Sequence, residues 1–378
     1  MPTSNEQLFN SMLRHQTYLL RYSAGVRNAM LEELRKSQDD ILDIVRGLNY
    51  KDGLNTPKAW KKLERALERI AKKRGEVWTG AIASLKADMK ALAKAEPRFA
   101  INQLKEALPV KIDLGVPKAV DLAAAISRPY HGKTLAQWAT KMRSDDLARL
   151  SSVIQGAMSS NSSVLNAVKG AFSTTASQID AVVRTSTTSI ASRARTETLK
   201  NNDELGTEEF TAVLDASTTF ECASLDGRLF AVGYGPEPPL HFGCRSIRIM
   251  VLSRALLKDK ELLPETEAQL MKEFSKENGL GKLTSRDELP HGFKGKFDAW
   301  APQRVSGMIG APVETTSYGA WLKTQTAAYQ VDTLGATRAA LFREGGLSLD
   351  KFVSRNGDAL TLDQIKERSP GAFRKAGL

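Results

Sequence analysis

The sequence has no long apolar run. No stretch approaches the roughly 18–20 residues that cross a bilayer as a helix, so no membrane partner is expected. Cysteine is nearly absent: Cys222 and Cys244 are the only two in 378 residues. That excludes a disulfide framework and fits a reducing compartment. The segment Met1 to Asn10 is polar and lacks the basic-then-apolar order of a secretory signal, which predicts folding in the cytoplasm where the chain is made. No glycine-rich loop ends in Lys-Ser or Lys-Thr, and the Gly-x-Gly spacings at Gly233/Gly235 and Gly279/Gly281 are too short to cradle phosphates, so nucleotide hydrolysis has no support. No helix-turn-helix, finger or basic-zipper pattern is visible, which argues against sequence-specific DNA reading.

What is present is an ordinary globular composition, 42% hydrophobic and 26% charged, over a length that suits two or three domains. The net charge of +11, from 54 basic and 43 acidic residues, favours polyanionic partners, either nucleic acid or acidic protein surfaces.

Residues 5–47 carry apolar side chains at helical spacing and predict one long helix or a broken pair, and Asn49 to Pro57 predicts a turn. A second helix is expected from Lys58 to Lys94. It bears Lys58, Lys61, Lys62, Arg65, Arg69, Lys72, Lys73 and Arg74, with Glu64 and Glu68 interleaved. Two readings apply: a solvated face laced by i,i+4 ion pairs, or a face that touches DNA or an acidic partner. Breaks at Pro97, Pro109, Pro117 and Pro129 make 97–133 a connector with short helices. Thr134 to Met158 is helical, and 159–200, rich in Ser, Thr and Ala, suggests a thinly packed helical hairpin.

After Asn201 the pattern shifts to period two. Strands are expected at Phe210–Asp215, Arg228–Val232 and Ile247–Val251, with Asp226-Gly227 as a tight turn and Tyr234–Leu240 as a proline-rich loop. A helix at Pro264–Lys276 followed by a loop that carries His291, then helix, Gly345-Gly346 break and short helix, completes the chain. The expected organisation is an N-terminal helical region (1–130), a small-residue-rich helical region (131–200), a β module (201–258), a linker with one helix (259–315) and a C-terminal helical region (316–378). The fold class is α+β, mostly α-helical with a small antiparallel β module at about 205–255.

The most specific stretch runs from Asp215 to Arg248. Its Asp215, Thr218, Cys222, Leu225, Asp226, Gly227, Pro238, Pro239, His241, Cys244 and Arg245 resemble the motif of the phage Mu F-like head morphogenesis family. That motif runs aspartate, Thr-Cys-x-x-Cys, Leu-Asp-Gly, Pro-Pro-x-His-x-x-Cys-Arg-Cys. Upstream, Ala194 to Glu197, with Arg195, Thr196 and Glu197, resembles the family's Ala-Arg-Thr-Glu helix end; downstream, Tyr318 to Val353 resembles its C-terminal Trp-Leu, Leu-Gly and Gly-Gly-Leu pattern. The likeness covers about 134–375. Thr219 and Ser246 stand where the family has cysteines, which puts a four-ligand metal site in question.

The resemblance implies a low-copy minor head protein, found in the virion head and in host cytoplasm during assembly. It implies contacts with a portal protein, a major capsid or scaffolding protein, and packaged double-stranded DNA. Cys222, His241 and Cys244 supply three ligands of types that suit zinc; a metal-free cluster and a Cys222–Cys244 bridge are the alternatives. No catalytic residue is assigned and no enzyme is expected. A Cys222–His241 nucleophile pair lacks any family-specific context, and a nuclease has neither paired histidines nor an acidic metal cluster. The alternative reading is an injected DNA-binding or nuclease effector. Arg193, Arg195, Arg245 and Arg248 are expected to form a basic cluster, or to pair with Asp203, Glu204, Glu208 and Glu209.

Overall fold

The computed structural model describes residues 2–48, 56–213, 218–313, 318–352 and 359–378. The expected turn from Asn49 to Pro57 lies largely outside these.

Leu8, Met12, Leu19, Val26, Met30 and Leu34 recur at three- to four-residue multiples and are all buried on one face of helix α1, Ser4–Arg35. Thr3 and Glu6 form a reciprocal capping box that satisfies donors at its start. Helix α2, Gln38–Arg46, follows after a short break, so the broken pair forms. Helix α3 spans Pro57–Ala107, 51 residues and about 77 Å at 1.5 Å per residue. Thr56 caps it and Pro57 occupies the first turn, where no amide hydrogen is needed. Helix α4 (Ala119–Ser127), helix α5 (Leu135–Ser159, capped by Thr134 and Gln137) and helix α6 (Val164–Leu199) complete a bundle.

Pro97 does not end a helix as the sequence suggested. It lies buried inside α3, where tertiary packing outweighs the lost i→i−4 bond. Helices α1, α3, α5 and α6 share a core of Leu19, Trp78, Leu85, Met142, Ile179 and Ala191. A second core near the start of α3 joins Ile41, Leu63, Ile70, Leu150, Val164 and Val168. Asp146, fully buried on α5, accepts from Arg74 Nε (2.6 Å), Trp78 Nε1 (2.7 Å) and Thr175 Oγ1 (2.5 Å), which ties three helices together.

The sheet is three-stranded and antiparallel in the order β2-β1-β3, with β1 at Gly206–Thr211, β2 at Arg228–Ala231 and β3 at Ile247–Leu252. The first strand begins four residues earlier than its apolar run implied. Glu208 and Glu209 made 206–209 look solvent-facing, yet both are buried in the central strand. The Glu208 carboxylate meets Arg248 at 3.1 Å across the β1–β3 pair. Gly206 is required by close approach: a Cβ there would lie 2.0 Å from the Val251 carbonyl oxygen.

Helix α1 closes over this sheet. Met12 packs on Ile247 and Ile249. Asn5 brackets Leu252, accepting from its amide at 2.8 Å and donating to its carbonyl at 3.4 Å, and also donates to Gly310 O at 3.3 Å.

Helix α7, Phe220–Leu225, lies between β1 and β2. Helix α8, Pro264–Glu277, appears where expected, but the loop anticipated after it contains helix α9, His291–Ile309. Three glycines, Pro302 and the weak apolar periodicity concealed α9; Phe297, Ala301, Val305 and Ile309 nonetheless bury one stripe against Leu270 and Phe274. His291 is therefore the first residue of a helix rather than part of a loop. The C-terminal region is a set of short helices, α10 (Tyr318–Lys323), α11 (Ala327–Leu334), α12 (Ala336–Arg343), α13 (Leu362–Arg368) and α14 (Pro370–Lys375), around a core of Tyr318, Leu322, Leu341, Phe352 and Phe373. The fold is thus mostly α-helical with a small antiparallel sheet, as the sequence predicted.

Candidate metal centre

Cys222 is carried by α7, and His241 and Cys244 by the loop that enters β3. The loop folds back over α7. Cys222 Sγ lies 3.3 Å from His241 Nε2 and 3.6 Å from Cys244 Sγ, and all three ligand atoms fall within 4.8 Å of one another. The Cys244 amide donates to the His241 carbonyl at 3.2 Å, which closes the His-x-x-Cys turn. Gly243 sits at φ +73 within it, a backbone region open to glycine at little cost.

Helix α6 supports the loop from behind. Thr185 Oγ1 accepts from the Gly243 amide at 3.0 Å, and Thr188 Oγ1 donates to the Cys244 carbonyl at 3.4 Å. Phe242 stacks on His131, with centroids 4.9 Å apart, and meets Trp138 edge-on at 5.1 Å.

Both cysteines are buried free thiols, and 3.6 Å between sulfurs is well beyond the bonded distance of about 2.05 Å. The hydrogen bond from Cys222, reinforced by His241 and opposed by burial, pulls the Cys244 thiol down to about 4. Cys222 is pushed up by that same bond to Cys244 and by burial. His241 is raised, first by its interaction with Cys244. These directions favour negative charge at Cys244 over Cys222 and bias the His241 imidazole toward its protonated form. A thiolate is the metal-binding form of cysteine. His241 Nδ1 lies 3.0 Å from the Phe242 carbonyl; in the neutral ring a proton held there leaves the Nε2 lone pair facing the sulfurs, so metal binding would displace any proton from Nε2. The cluster can hold a metal ion: it offers two sulfurs and one nitrogen, and among the described residues no fourth His, Cys, Asp or Glu joins them. Cys222, buried and with its thiol pushed up, is poorly placed as a nucleophile.

The other motif residues build the frame. Leu225 is fully buried against Phe210, Cys222 and Cys244. The Asp226 carboxylate accepts from the Ala212 amide (2.7 Å) and from the Tyr318 amide (2.7 Å), joining the end of β1 to α10. Burial raises its pKa against these two bonds. Gly227 takes φ +75, and its amide donates to the Phe210 carbonyl at 2.8 Å. The Thr218 hydroxyl donates to the Val213 carbonyl. Pro238 and Pro239 are joined by a cis peptide bond. The Arg245 carbonyl accepts from Gln16 Nε2 at 3.0 Å. Asp215 lies outside the described residues.

The expected arginine cluster does not form an exposed patch. Arg195 is buried against Glu96 at 2.5 Å, Arg248 against Glu208, and Arg193 donates to the carbonyls of Arg128 and Pro129. Thr196 is buried, and Glu197 pairs with Lys200 at 3.2 Å. Burial pushes the Glu96 carboxyl up, but Arg195 and His15 outweigh it, so the net shift is down. Sequence reasoning missed this triad and the Thr185/Thr188 support, because their partners are 56 or more residues apart and carry no local pattern.

Of the eight basic residues named on α3, Arg74 is buried against Asp146 and the others lie at the surface. Lys61, Lys62, Arg65, Arg69 and Lys72 are exposed, and Lys73 meets Asp40 at 2.6 Å. Among the described residues neither Glu64 nor Glu68 lies in an ion pair, so the i,i+4 lacing expected from spacing is absent.

No family model, curated protein or solved structure matches this chain.

Proposed function

We propose that this protein is a minor head, or head morphogenesis, protein of a tailed bacteriophage. In this reading it is a low-copy structural component of the virion head that associates with the portal protein and a major capsid or scaffolding protein during assembly. One observation carries the reading: the residues of the 215–248 stretch that resemble the Mu F-like motif act as one unit, tied to the C-terminal region that also resembles the family. Cys222, Leu225, His241 and Cys244 close a knuckle, and Asp226 ties that knuckle to the C-terminal helices. A motif whose residues hold a module together suits a structural role.

Zinc is the metal the donor set favours, since two cysteine sulfurs and an imidazole suit a borderline-soft cation. Cys222, His241 and Cys244 would hold it, and it would cross-link α7 to the loop before β3. Metal content of the purified protein by mass spectrometry tests this: one zinc per chain, lost in Cys244→Ser, is expected, and no bound metal from zinc-supplemented medium overturns it.

The function is tested by quantitative mass spectrometry of procapsids, full virions and emptied particles. A few copies in procapsids and full heads are expected. Fewer copies after DNA release would mark delivery with the genome; retention would mark a fixed portal-vertex component. Absence from every particle overturns the head-protein reading in favour of a free effector.

A further inference from the structure

We propose that the N-terminal third of α3 is a binding site for the phosphate backbone of duplex nucleic acid. Lys58, Lys61, Lys62, Arg65, Arg69 and Lys72 are all exposed, and among the described residues no ion pair or hydrogen bond engages their side chains. At about 100° per residue they fall within a sector of roughly 100°, and they extend over about 21 Å of helix. That length matches about six base pairs of duplex, which presents one phosphate charge per roughly 1.7 Å. Below the stripe, a groove of about 750 Å³ separates α3 from α2; the acidic groups on its far wall, Asp40 and Asp43, are already paired with Lys73 and Arg46.

The composition of the stripe selects the partner class. Protein interfaces are enriched in aromatics and depleted of lysine at their centres, and helices dock on proteins through rows of apolar anchors. This face has four lysines, two arginines and no apolar side chain among its cations. Single-stranded nucleic acid is held by aromatics interleaved with the basic groups. The one exposed aromatic of this segment, Trp60, points about 150° away from the centre of the stripe. What remains is contact with a regular, dense row of phosphates, without base readout. The head-protein reading supplies only the source of such a duplex, the packaged genome; the site itself stands on the exposed cations.

The test is fluorescence anisotropy of the full chain with a labelled 30-base-pair duplex from 50 to 200 mM salt. With about five or six phosphate contacts, affinity should fall roughly a thousandfold across that range. K62E/R65E/R69E should weaken binding at least tenfold more than K258E/K272E/K282E, which takes the same six charges from exposed sites elsewhere, +11 to +5 in both cases. The neutral variant K62Q/R65Q/R69Q, with a circular dichroism spectrum like that of the parent, should lower the salt slope by about three. Equal losses in stripe and control variants, or no duplex binding at 50 mM salt, overturn the proposal. So does polyglutamate competing as well as duplex, which would redirect the stripe to an acidic protein. Loss of DNA binding leaves the particle measurements untouched, and absence from particles leaves the stripe untouched.

Discussion

Replacing Asp146 with alanine is the most severe single test of the helical bundle. The carboxylate is fully buried and serves three donors, from Arg74, Trp78 and Thr175. Arg74 keeps two neutral acceptors, the Leu34 carbonyl at 2.7 Å and Ser37 Oγ at 3.1 Å, but loses its only counter-charge. Breaking a buried ion pair from one side costs about 3–5 kcal/mol, because the remaining charge is left without compensation. The indole and hydroxyl donors lose their acceptor too, at about 1–3 kcal/mol each, though such terms do not add within one network. Asp146→Ala should therefore destabilise the bundle by at least about 3 kcal/mol, read as a shift in urea midpoint followed by tryptophan fluorescence. The double variant R74M/D146L removes the stranded charge and refills the space, and should recover at least about 2 kcal/mol of that loss. A loss of about 1 kcal/mol or less in Asp146→Ala, or no recovery in the double variant, would refute the claim that these groups are desolvated and mutually dependent.

Four further outcomes are expected. Asp226→Asn weakens two charge-assisted hydrogen bonds and should cost about 1.5–3 kcal/mol, with limited proteolysis releasing a C-terminal fragment that begins near Tyr318; protease resistance equal to the parent would contradict the bridging role. Glu96 has a folded pKa below its ordinary 4.5, so its contribution is present above that value and lost as pH falls through the folded one; the urea midpoint should drop more steeply between pH 5 and 3 in the parent than in Glu96→Gln. In metal-free protein, ultraviolet thiolate absorbance should persist below neutral pH, disappear near about 4, and be missing in Cys244→Ser. Gly206→Ala must push β1 from the Val251 carbonyl and should lower the thermal midpoint by several degrees, whereas Gly227→Asn, at a turn position with open space, should be far milder.

How much of this was legible depended on whether the deciding interaction was local. Turn and first-turn signals were: Pro57 occupies a first turn, where no amide hydrogen is needed, and Asp226-Gly227 turns the chain with Gly227 at φ +75. The His-x-x-Cys half of the knuckle is likewise a local turn, and Cys222 could be added because the chain holds no other cysteine. Pro97 could not be read, because its acceptance in α3 rests on packing against helices distant in sequence. Glu208 and Glu209 disguised the central strand for a related reason, since the partner that makes Glu208 tolerable, Arg248, is 40 residues away. The charge pairs anticipated on α3 failed in the opposite direction: i,i+4 spacing permits a pair, but on an exposed face it is worth only a few tenths of a kcal/mol, and the chain leaves those groups apart.

The clasp between Asn5 and the Leu252–Gly310 region sets a schedule for synthesis. A ribosome adds about 5–20 residues per second, so the interval of 305 residues separating Asn5 from Gly310 takes on the order of 15–60 s to translate. Throughout that wait Leu8 and Met12 can meet the end of α3, but the Ile247 and Ile249 surface that Met12 covers has yet to be made for most of it. Helix α1 can therefore pack on α3 and α6 well before its N-terminal turn is fastened, and closure of the Asn5 clasp certifies that β3 and α9 have already been made.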